Sequence, residues 1–507
     1  MSDIGSFRSM DKYLSNMDQR RAWAVAFFLA MVNAADAVEI MSIGFILSSE
    51  SFLEASVLDK SLLSSAVFLG MFVGGVLFGN ISDIYGRRPL LLGCTAVNAA
   101  SGVASALAPT FGLLVFFRFF GGLAIGGSIP IMFTLGAELF PMEIRGSLIS
   151  FIGSFWMVGA LFTAISAWIM LGTEHSDWRH YAGVCTIPAM LSTIMTYFFI
   201  PESPRYLLQK DKIVEASEVL SKYCGMDISS DSLKKTPARN SLVNYLTEPI
   251  EETESSEASS EKSDGTYCMD IQYIKYMFSP ELKNTSLILF CTWFTLAFGS
   301  YGITTWITTL YTEVGISDEY LAAVIYTTAN LPGNIITIFF IEKWGRKEFL
   351  FAGMIGSGIS AFGFAFGTDS AGVVIFFSFL FNMFSVIAWN SLSCFTTELF
   401  PTHIRSSSQG LLSAVGRLGA VIAQIVFADL EHSPITILLA TAVCMFIGAT
   451  AVYQVDVDSS GKGLVEEGDM DRSTVDADAD AFEAEMTCSV DEQEDRQNNK
   501  VFNPLSK

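Results

Sequence analysis

Four ionisable residues stand inside long apolar runs, and they are the residues of this chain best suited to chemistry. Asp36 and Glu39 lie in the run 22–47, Arg118 in 111–135 and Arg417 in 407–428. A charge among apolar neighbours is costly, so such a residue is kept for a partner, an ion or a ligand. Asp36 is fourteen residues past the start of its run, ~21 Å along a helix rising ~1.5 Å per residue. Glu39 follows at i+3, on the same helical face. Arg118 is seven residues into its own run, reaches a similar level from the other direction, and could face either acid. A carboxylate beside an arginine stays ionised; parted from it in a dry setting, it takes up a proton. Such a pair can link a helix shift to proton uptake. The alternative is a static pair that only orients two helices.

Arg417 differs. It lies twelve residues beyond Arg405, ~18 Å in from the end of its run, and no acid in the later spans is an obvious partner. An unpaired guanidinium facing a cavity would attract a carboxylate and hold it with two hydrogen bonds. The alternative is an arginine buried against backbone carbonyls. Rings and amides at similar depth could complete a pocket: Trp156, Tyr301, Trp306, Tyr326, Asn330, Trp389, Asn390 and Gln424. Sites for small organic molecules combine such rings with a few polar groups. Tyr301 and Trp389 stand out, the first because it adjoins Gly302, where a helix could break. The four glycines Gly121, Gly122, Gly126 and Gly127 read as close helix packing.

No catalytic constellation accompanies these residues. The four histidines, His175, His180, His403 and His432, fall in loops, the eight cysteines make no metal-ligand spacing, and no phosphate-binding loop is present. The expectation is a protein that is not an enzyme and holds no metal or cofactor.

The elements that must position these groups are membrane helices. Hydrophobic residues make up 51% of the chain and charged residues 16%, with a mean hydropathy of +0.44. Apolar runs near the ~20 residues that cross a ~30 Å hydrocarbon core recur twelve times. They cover roughly 22–47, 61–80, 90–108, 111–135, 146–171, 181–200, 285–311, 320–341, 349–367, 371–395, 407–428 and 433–453. The fold class is therefore all-α and polytopic, with two six-helix halves at 22–200 and 285–453.

Repeated loops make the halves related. Glu138-Leu139-Phe140-Pro141-Met142-Glu143-Ile144-Arg145 returns as Glu398-Leu399-Phe400-Pro401-Thr402-His403-Ile404-Arg405. Asp83-Ile84-Tyr85-Gly86-Arg87-Arg88 returns as Glu342-Lys343-Trp344-Gly345-Arg346-Lys347, at nearly the same offset. Related halves suit a carrier that rocks about a central site. The charges Asp83, Arg87, Glu138, Arg145, Glu342, Arg346, Glu398 and Arg405 then read as a gate that closes and reopens one side, since exposed pairs are individually worth only ~0–1 kcal/mol.

Lys and Arg orient the bundle. Arg20, Arg21, Arg87, Arg88, Arg145, Lys343, Arg346, Lys347 and Arg405 cluster on one side, which would be cytosolic together with both termini. The opposite loops carry Lys60 and Arg179 among acids such as Glu54, Asp59, Glu313 and Asp318. Residues 1–21 form a polar N-terminal segment with no cleavable signal.

The net charge of −22 comes mostly from two polar segments. The tail, 454–507, is acidic and reads as disordered, as in Asp476-Ala477-Asp478-Ala479-Asp480; it leaves room for a cytosolic partner. The linker, 201–284, opens with an amphipathic helix from Pro204 to about Tyr223 and passes through a Glu/Ser-rich stretch, Thr247 to Asp264. It ends in a shorter amphipathic stretch, 267–283.

The Asp83–Arg88 loop, Pro201-Glu202-Ser203-Pro204-Arg205 and the two Glu-Leu-Phe-Pro loops resemble the signatures of major facilitator superfamily transporters, nearest to the sugar-porter and organic-ion branches. The resemblance covers about 20–455. Ala35-Asp36-Ala37-Val38-Glu39-Ile40-Met41, Phe278-Ser279-Pro280-Glu281-Leu282-Lys283-Asn284-Thr285 and Phe298-Gly299-Ser300-Tyr301-Gly302-Ile303-Thr304-Thr305-Trp306 look closest to the synaptic-vesicle-protein-related branch. That branch is itself similar to aromatic-acid and organic-anion carriers. In sugar porters the acid matching Asp36 and the Arg matching Arg118 are associated with proton coupling, and organic-anion relatives look similar around Arg417. The chain departs from these relatives in places. Residues 312–319 leave no room for a large glycosylated loop, the Gln-rich sugar-porter signature of span 7 is missing, and the Pro-Glu-Thr-Lys-Gly ending survives only weakly as Asp458-Ser459-Ser460-Gly461-Lys462-Gly463-Leu464. The resemblance implies alternating access by a monomer in a plasma or endomembrane bilayer. It would act on a small organic anion, an aromatic or heterocyclic carboxylate, moved with protons and without nucleic acid. Sugar or organic-cation cargo, and a non-transporting vesicle or receptor protein that keeps the fold, are the rival readings.

Overall fold

Helices follow from the apolar runs because a segment with no water to bond must satisfy its own backbone groups. The structure, a computed structural model, describes residues 14, 17–172, 177–210, 212–224, 277–279, 282–368, 370–400 and 405–455. The extreme N-terminus, the Glu/Ser-rich stretch, most of 267–283 and the acidic tail from 456 lie outside the described residues. Among the described residues, twelve segments are long and apolar enough to cross a membrane. Spans 1–5 are Gln19–Leu47, Val57–Tyr85, Arg87–Ala106, Phe111–Leu139 and Met142–Leu171. Span 6 consists of Trp178–Cys185 and Ile187–Phe199, and span 7 is Lys283–Val314. Span 8 consists of Glu319–Thr328 and Asn330–Trp344. Spans 9–12 are Arg346–Phe366, Ala371–Leu399, Arg405–Asp429 and Pro434–Tyr453.

The local breaks have named causes. Spans 6 and 8 are each interrupted by one residue, Thr186 and Ala329, just before Pro188 and Pro332. Proline offers no N–H and crowds the carbonyl one turn back. Span 7, by contrast, runs unbroken through Gly302, against the expectation of a break there. A Cβ at Gly302 would lie 2.8 Å from the Phe427 ring, so this glycine makes room for a neighbour and leaves the helix intact. The amphipathic helix expected over 204–223 is two, Pro204–Gln209 and Ile213–Cys224.

The repeat is visible in the backbone. Spans 2 and 3 turn at Gly86, φ 105°, and spans 8 and 9 at Gly345, φ 92°. That region of conformation is open to glycine and strained for other residues. The glycines of span 4 bear out close packing: a Cβ on Gly122 or Gly126 would fall about 2 Å from the carbonyl oxygens of Val67 and Met71 on span 2.

Two ends of the bundle can be told apart. The motif end holds Gly86, Phe140, Gly345 and Phe400; the far end holds the 1–2, 7–8 and 11–12 connections. One apolar cluster runs from the far part of the first half, through Phe45, Phe68 and Tyr181, into the second half at Trp306, Tyr320 and Phe427. A separate cluster, including Leu29, Leu135, Phe140 and Leu148, fills the motif end of the first half. Named contacts between the halves follow the same division. Lys60 Nζ meets the Glu431 carboxylate at 2.8 Å, Thr308 Oγ1 donates to the Gly44 carbonyl at 3.3 Å, and Trp168 Nε1 donates to Asp318 at 3.3 Å. Phe45 stacks on Tyr320, and at mid-depth Phe68 packs against Tyr301. The halves are thus joined at the far end.

Candidate functional site

In the first half, spans 1, 3 and 4 bring two separate polar centres together. Arg118 Nη1 donates to Glu39 Oε1 at 2.7 Å and to Ser42 Oγ at 3.1 Å. Both charged side chains are almost fully buried. Asp36 does not share this partner. Its Oδ1 accepts from Asn98 Nδ2 at 3.1 Å, and its Oδ2 accepts from Ser128 Oγ at 2.5 Å. The sequence allowed Arg118 to face either acid; the structure gives Arg118 to Glu39. Residues at i and i+3 differ by about 60° around a helix and about 4.5 Å along it, enough to aim them at different neighbours.

In the second half, Arg417 sits on the ring of Tyr301, 5.3 Å from its centroid, and its Nη1 donates to the Tyr301 hydroxyl at 2.9 Å. Among the described residues no carboxylate reaches it, and its partner is a phenol rather than backbone carbonyls. Around it lie Trp389, 5.6 Å from Tyr301, and Trp293, 5.5 Å from Trp389. The Trp389 Nε1 donates to Ser300 Oγ. Gln424 accepts from Trp306 Nε1 at 2.9 Å and donates at 3.4 Å to the Tyr301 carbonyl and to Thr305 Oγ1. Phe68 closes the group from the first half, 5.2 Å from Tyr301. One guanidinium therefore stands in a largely aromatic wall at mid-depth, beside the seam between halves.

Not every expected pocket residue joins it. Asn330 donates to the Thr327 carbonyl on its own span, a local cap. Asn390 donates to Asn334 Oδ1 at 2.8 Å, tying spans 10 and 8. The Tyr326 hydroxyl is within 2.9 Å of Thr304 Oγ1 and fully buried. Trp156 is half-buried against the main apolar cluster. Reasoning from sequence missed Asn98, Ser128, Phe68 and Trp293. Asn98 carried a signal, an amide alone in an apolar run; a serine in such a run carries none.

At the motif end the repeat extends to an ion pair. Arg87 Nη2 lies 3.3 Å from Glu138 Oε1, and the matching Arg346 pairs with Glu398. Each pair links two of the repeated loops within one half. Arg145, on the far side of Pro141 from Glu138, donates to the Phe140 carbonyl from Nε and Nη2. The side chains of Asp83, Glu342 and Arg405 lie outside the described residues. Glu202, from the Pro-Glu-Ser-Pro-Arg segment, accepts from the backbone N–H groups of Arg87 and Arg88 and so caps span 3. Burial pushes its carboxyl above the usual carboxylate range, partly opposed by these hydrogen bonds and by Arg87.

Residues 19–467 match the family model described as "Sugar (and other) transporter". Synaptic vesicle glycoprotein 2C of Homo sapiens is 26% identical, over 84% of this chain and 77% of that protein. The niacin transporter NiaP of Acinetobacter baylyi is 29% identical, over 73% of this chain and 77% of that one. Among solved structures, the xylose transporter XylE from E. coli in an inward open conformation superposes with a TM-score of 0.66 at 21% identity, covering 87% of this chain and 97% of that one. At that identity the superposition speaks for the fold, twelve helices in two halves. With nearly all of its membrane region matched by one family model, the chain belongs to the sugar (and other) transporter family of the major facilitator superfamily, in the branch that joins sugar porters to the synaptic vesicle glycoprotein 2 relatives.

Proposed function

We propose that this protein is a secondary active transporter that carries a small organic anion, an aromatic carboxylate, together with protons by alternating access. The observation that carries the reading is Arg417. A partly buried guanidinium, stacked on Tyr301 with no carboxylate partner among the described residues, offers free N–H donors to an anion at the seam between halves. The rings of Tyr301, Trp389 and Phe68 offer flat apolar surface to an aromatic cargo. Niacin, named as the cargo of one relative, is a pyridine carboxylate of this kind. The acids of span 1 supply the proton-exchanging groups. The Lys and Arg bias puts the motif end and both termini in the cytosol. With the far end joined by Lys60–Glu431, the structure is then shut toward the outside.

The test is uptake by the purified full chain in proteoliposomes under an imposed pH gradient. Nicotinate and benzoate are compared with xylose and an organic cation. Accumulation of a carboxylate, collapsing with the gradient, is expected. Uptake of xylose alone would give the site to sugars, and no uptake of any solute would favour a non-transporting vesicle protein.

A further inference from the structure

Four titratable side chains meet in a small cavity at the far end: Lys60 from span 2, Glu313 from span 7, and Glu431 and His432 from the 11–12 connection. The rest of the cavity wall, from spans 1 and 7, is uncharged. Lys60 Nζ holds both oxygens of Glu431, at 2.9 and 2.8 Å. His432 stands between the two acids. Its Nδ1 lies 3.1 Å from Glu313 Oε1, and its Nε2 lies 3.5 Å from Glu431 Oε1.

A neutral imidazole has one N–H and one bare nitrogen, and an ionised carboxylate only accepts. A ring with a carboxylate oxygen at each nitrogen is fully served only when both nitrogens carry hydrogen. The His432 side chain is 79% exposed, so water on the far side supplies and removes that proton. An imidazole ordinarily changes charge between about pH 8 and pH 5.

The same ring bears on the contact between halves. Lys60 belongs to the first half, and Glu313, Glu431 and His432 belong to the second. With the far end shut, a proton on His432 is drawn by two acids and repelled by the Lys60 amine. When the halves part, Lys60 leaves with the first half and the repulsion goes with it. Glu431 then keeps His432 as the group in this cavity able to carry a positive charge. The open arrangement therefore holds the proton more tightly than the shut one. By linkage, adding the proton favours opening.

We propose that His432 is a proton-operated release for the Lys60–Glu431 seal: acid on the far side protonates it and shifts the molecule toward opening at that end. This rests on the alternating-access reading above and is independent of the cargo and of the acids of span 1.

The experiment is single-molecule fluorescence energy transfer on the full chain in nanodiscs, without cargo. Dyes are carried on unnatural amino acids at Leu107 and Ile435, exposed positions at the far end, one in each half. The parent's open-to-shut ratio is expected to rise roughly two- to fivefold on acidification, the scale of exposed charge pairs. His432→Gln should stay at the high-pH ratio throughout. His432→Lys, charged across this range, should hold the acid ratio. Glu313→Gln should weaken the response, and Asp36→Asn should leave it in place. A response that survives His432→Gln would overturn the proposal, and its loss in Asp36→Asn would place it on span 1. A ratio that falls on acidification would also overturn it, because the imidazolium would then brace the seal. If the far end opens at no pH, and not in Lys60→Met either, the alternating-access reading fails and the release fails with it.

Discussion

At the scale of single residues, the charges inside the membrane divide by partner. Glu39 and Arg118 satisfy each other, Asp36 is served by two neutral donors, and Arg417 lies on an aromatic ring with donors to spare. Only the last has the chemistry to select a cargo by sign of charge. Arg417→Ala should lower carboxylate affinity roughly ten- to a hundredfold, since a charge-assisted hydrogen bond contributes about 1.5–3 kcal/mol. Arg417→Lys should fall between, keeping the charge and losing the two-pronged geometry. Both are read as Kd by thermal shift against nicotinate, because a ligand of the native state raises its apparent stability. Unchanged affinity in a well-folded Arg417→Ala protein would remove Arg417 from the site and most of the case for an anion. The sequence made this residue legible because a lone cation in an apolar run is conspicuous. It could not pair Arg118, because two acids three residues apart lie equally near and only the packed rotation of span 1 chooses between them.

At the scale of elements, the repeat was the clearest thing in the sequence and the structure adds its mechanics. Each Gly turn starts a helix with an arginine that reaches the acid of the next repeated loop, Arg87 to Glu138 and Arg346 to Glu398. The pairs join different loops, while Arg145 donates to the Phe140 carbonyl of its own loop. Helix continuity was harder to read. A glycine signals freedom to break, yet in span 7 Gly302 serves the Phe427 ring, while single residues before Pro188 and Pro332 interrupt spans 6 and 8. Glu202 gives this scale its own test. Its carboxylate accepts from two N–H groups at the start of span 3, where unpaired donors and the helix dipole favour negative charge. Burial nevertheless raises its pKa above the ordinary 4.5. Folded protein thus holds this proton more tightly than unfolded protein does, and the contribution to stability falls as pH rises from the ordinary value through the raised one. Glu202→Gln should flatten that part of the pH–Tm curve. A variant whose curve parallels the wild type across that window would show that Glu202 does not titrate there. Glu202→Ala should also fray the start of span 3, read as faster amide exchange at Arg87 and Arg88.

For the whole molecule, the question is what sets the balance between opening at the far end and opening at the motif end. The far end is held by a buried ion pair that crosses the halves, Lys60 with Glu431, both side chains under 8% exposed. His432 stands beside it, 3.1 Å from Glu313 and 3.5 Å from Glu431, but these three belong to one half and do not join the two. A buried pair is a poor source of net stability, because removing two charges from water offsets most of their attraction. That weakness suits a seal that must open every cycle: when the halves part at this end, both charges return to water. Losing one partner has a different effect, since it deprives the other buried charge of this counter-charge, at a cost of up to about 3–5 kcal/mol in the shut state only. Such a cost would shift a two-state equilibrium more than about a hundredfold. Lys60→Met and Glu431→Gln are not equivalent, for the first removes the cation from a buried acid and the second removes an acid from a buried cation, but both should favour opening at the far end. The exchange Lys60→Glu with Glu431→Lys should return the balance toward the parent. Accessibility of a cysteine placed at Thr309, in the small cavity beside this pair, to an impermeant thiol reagent reads the outcome. Faster labelling in each single variant, with slower labelling restored in the exchange, is expected. If the singles label at the parent rate, the far end is held by its apolar contacts, Phe45 on Tyr320 among them, and the ion pair only decorates a seam already shut.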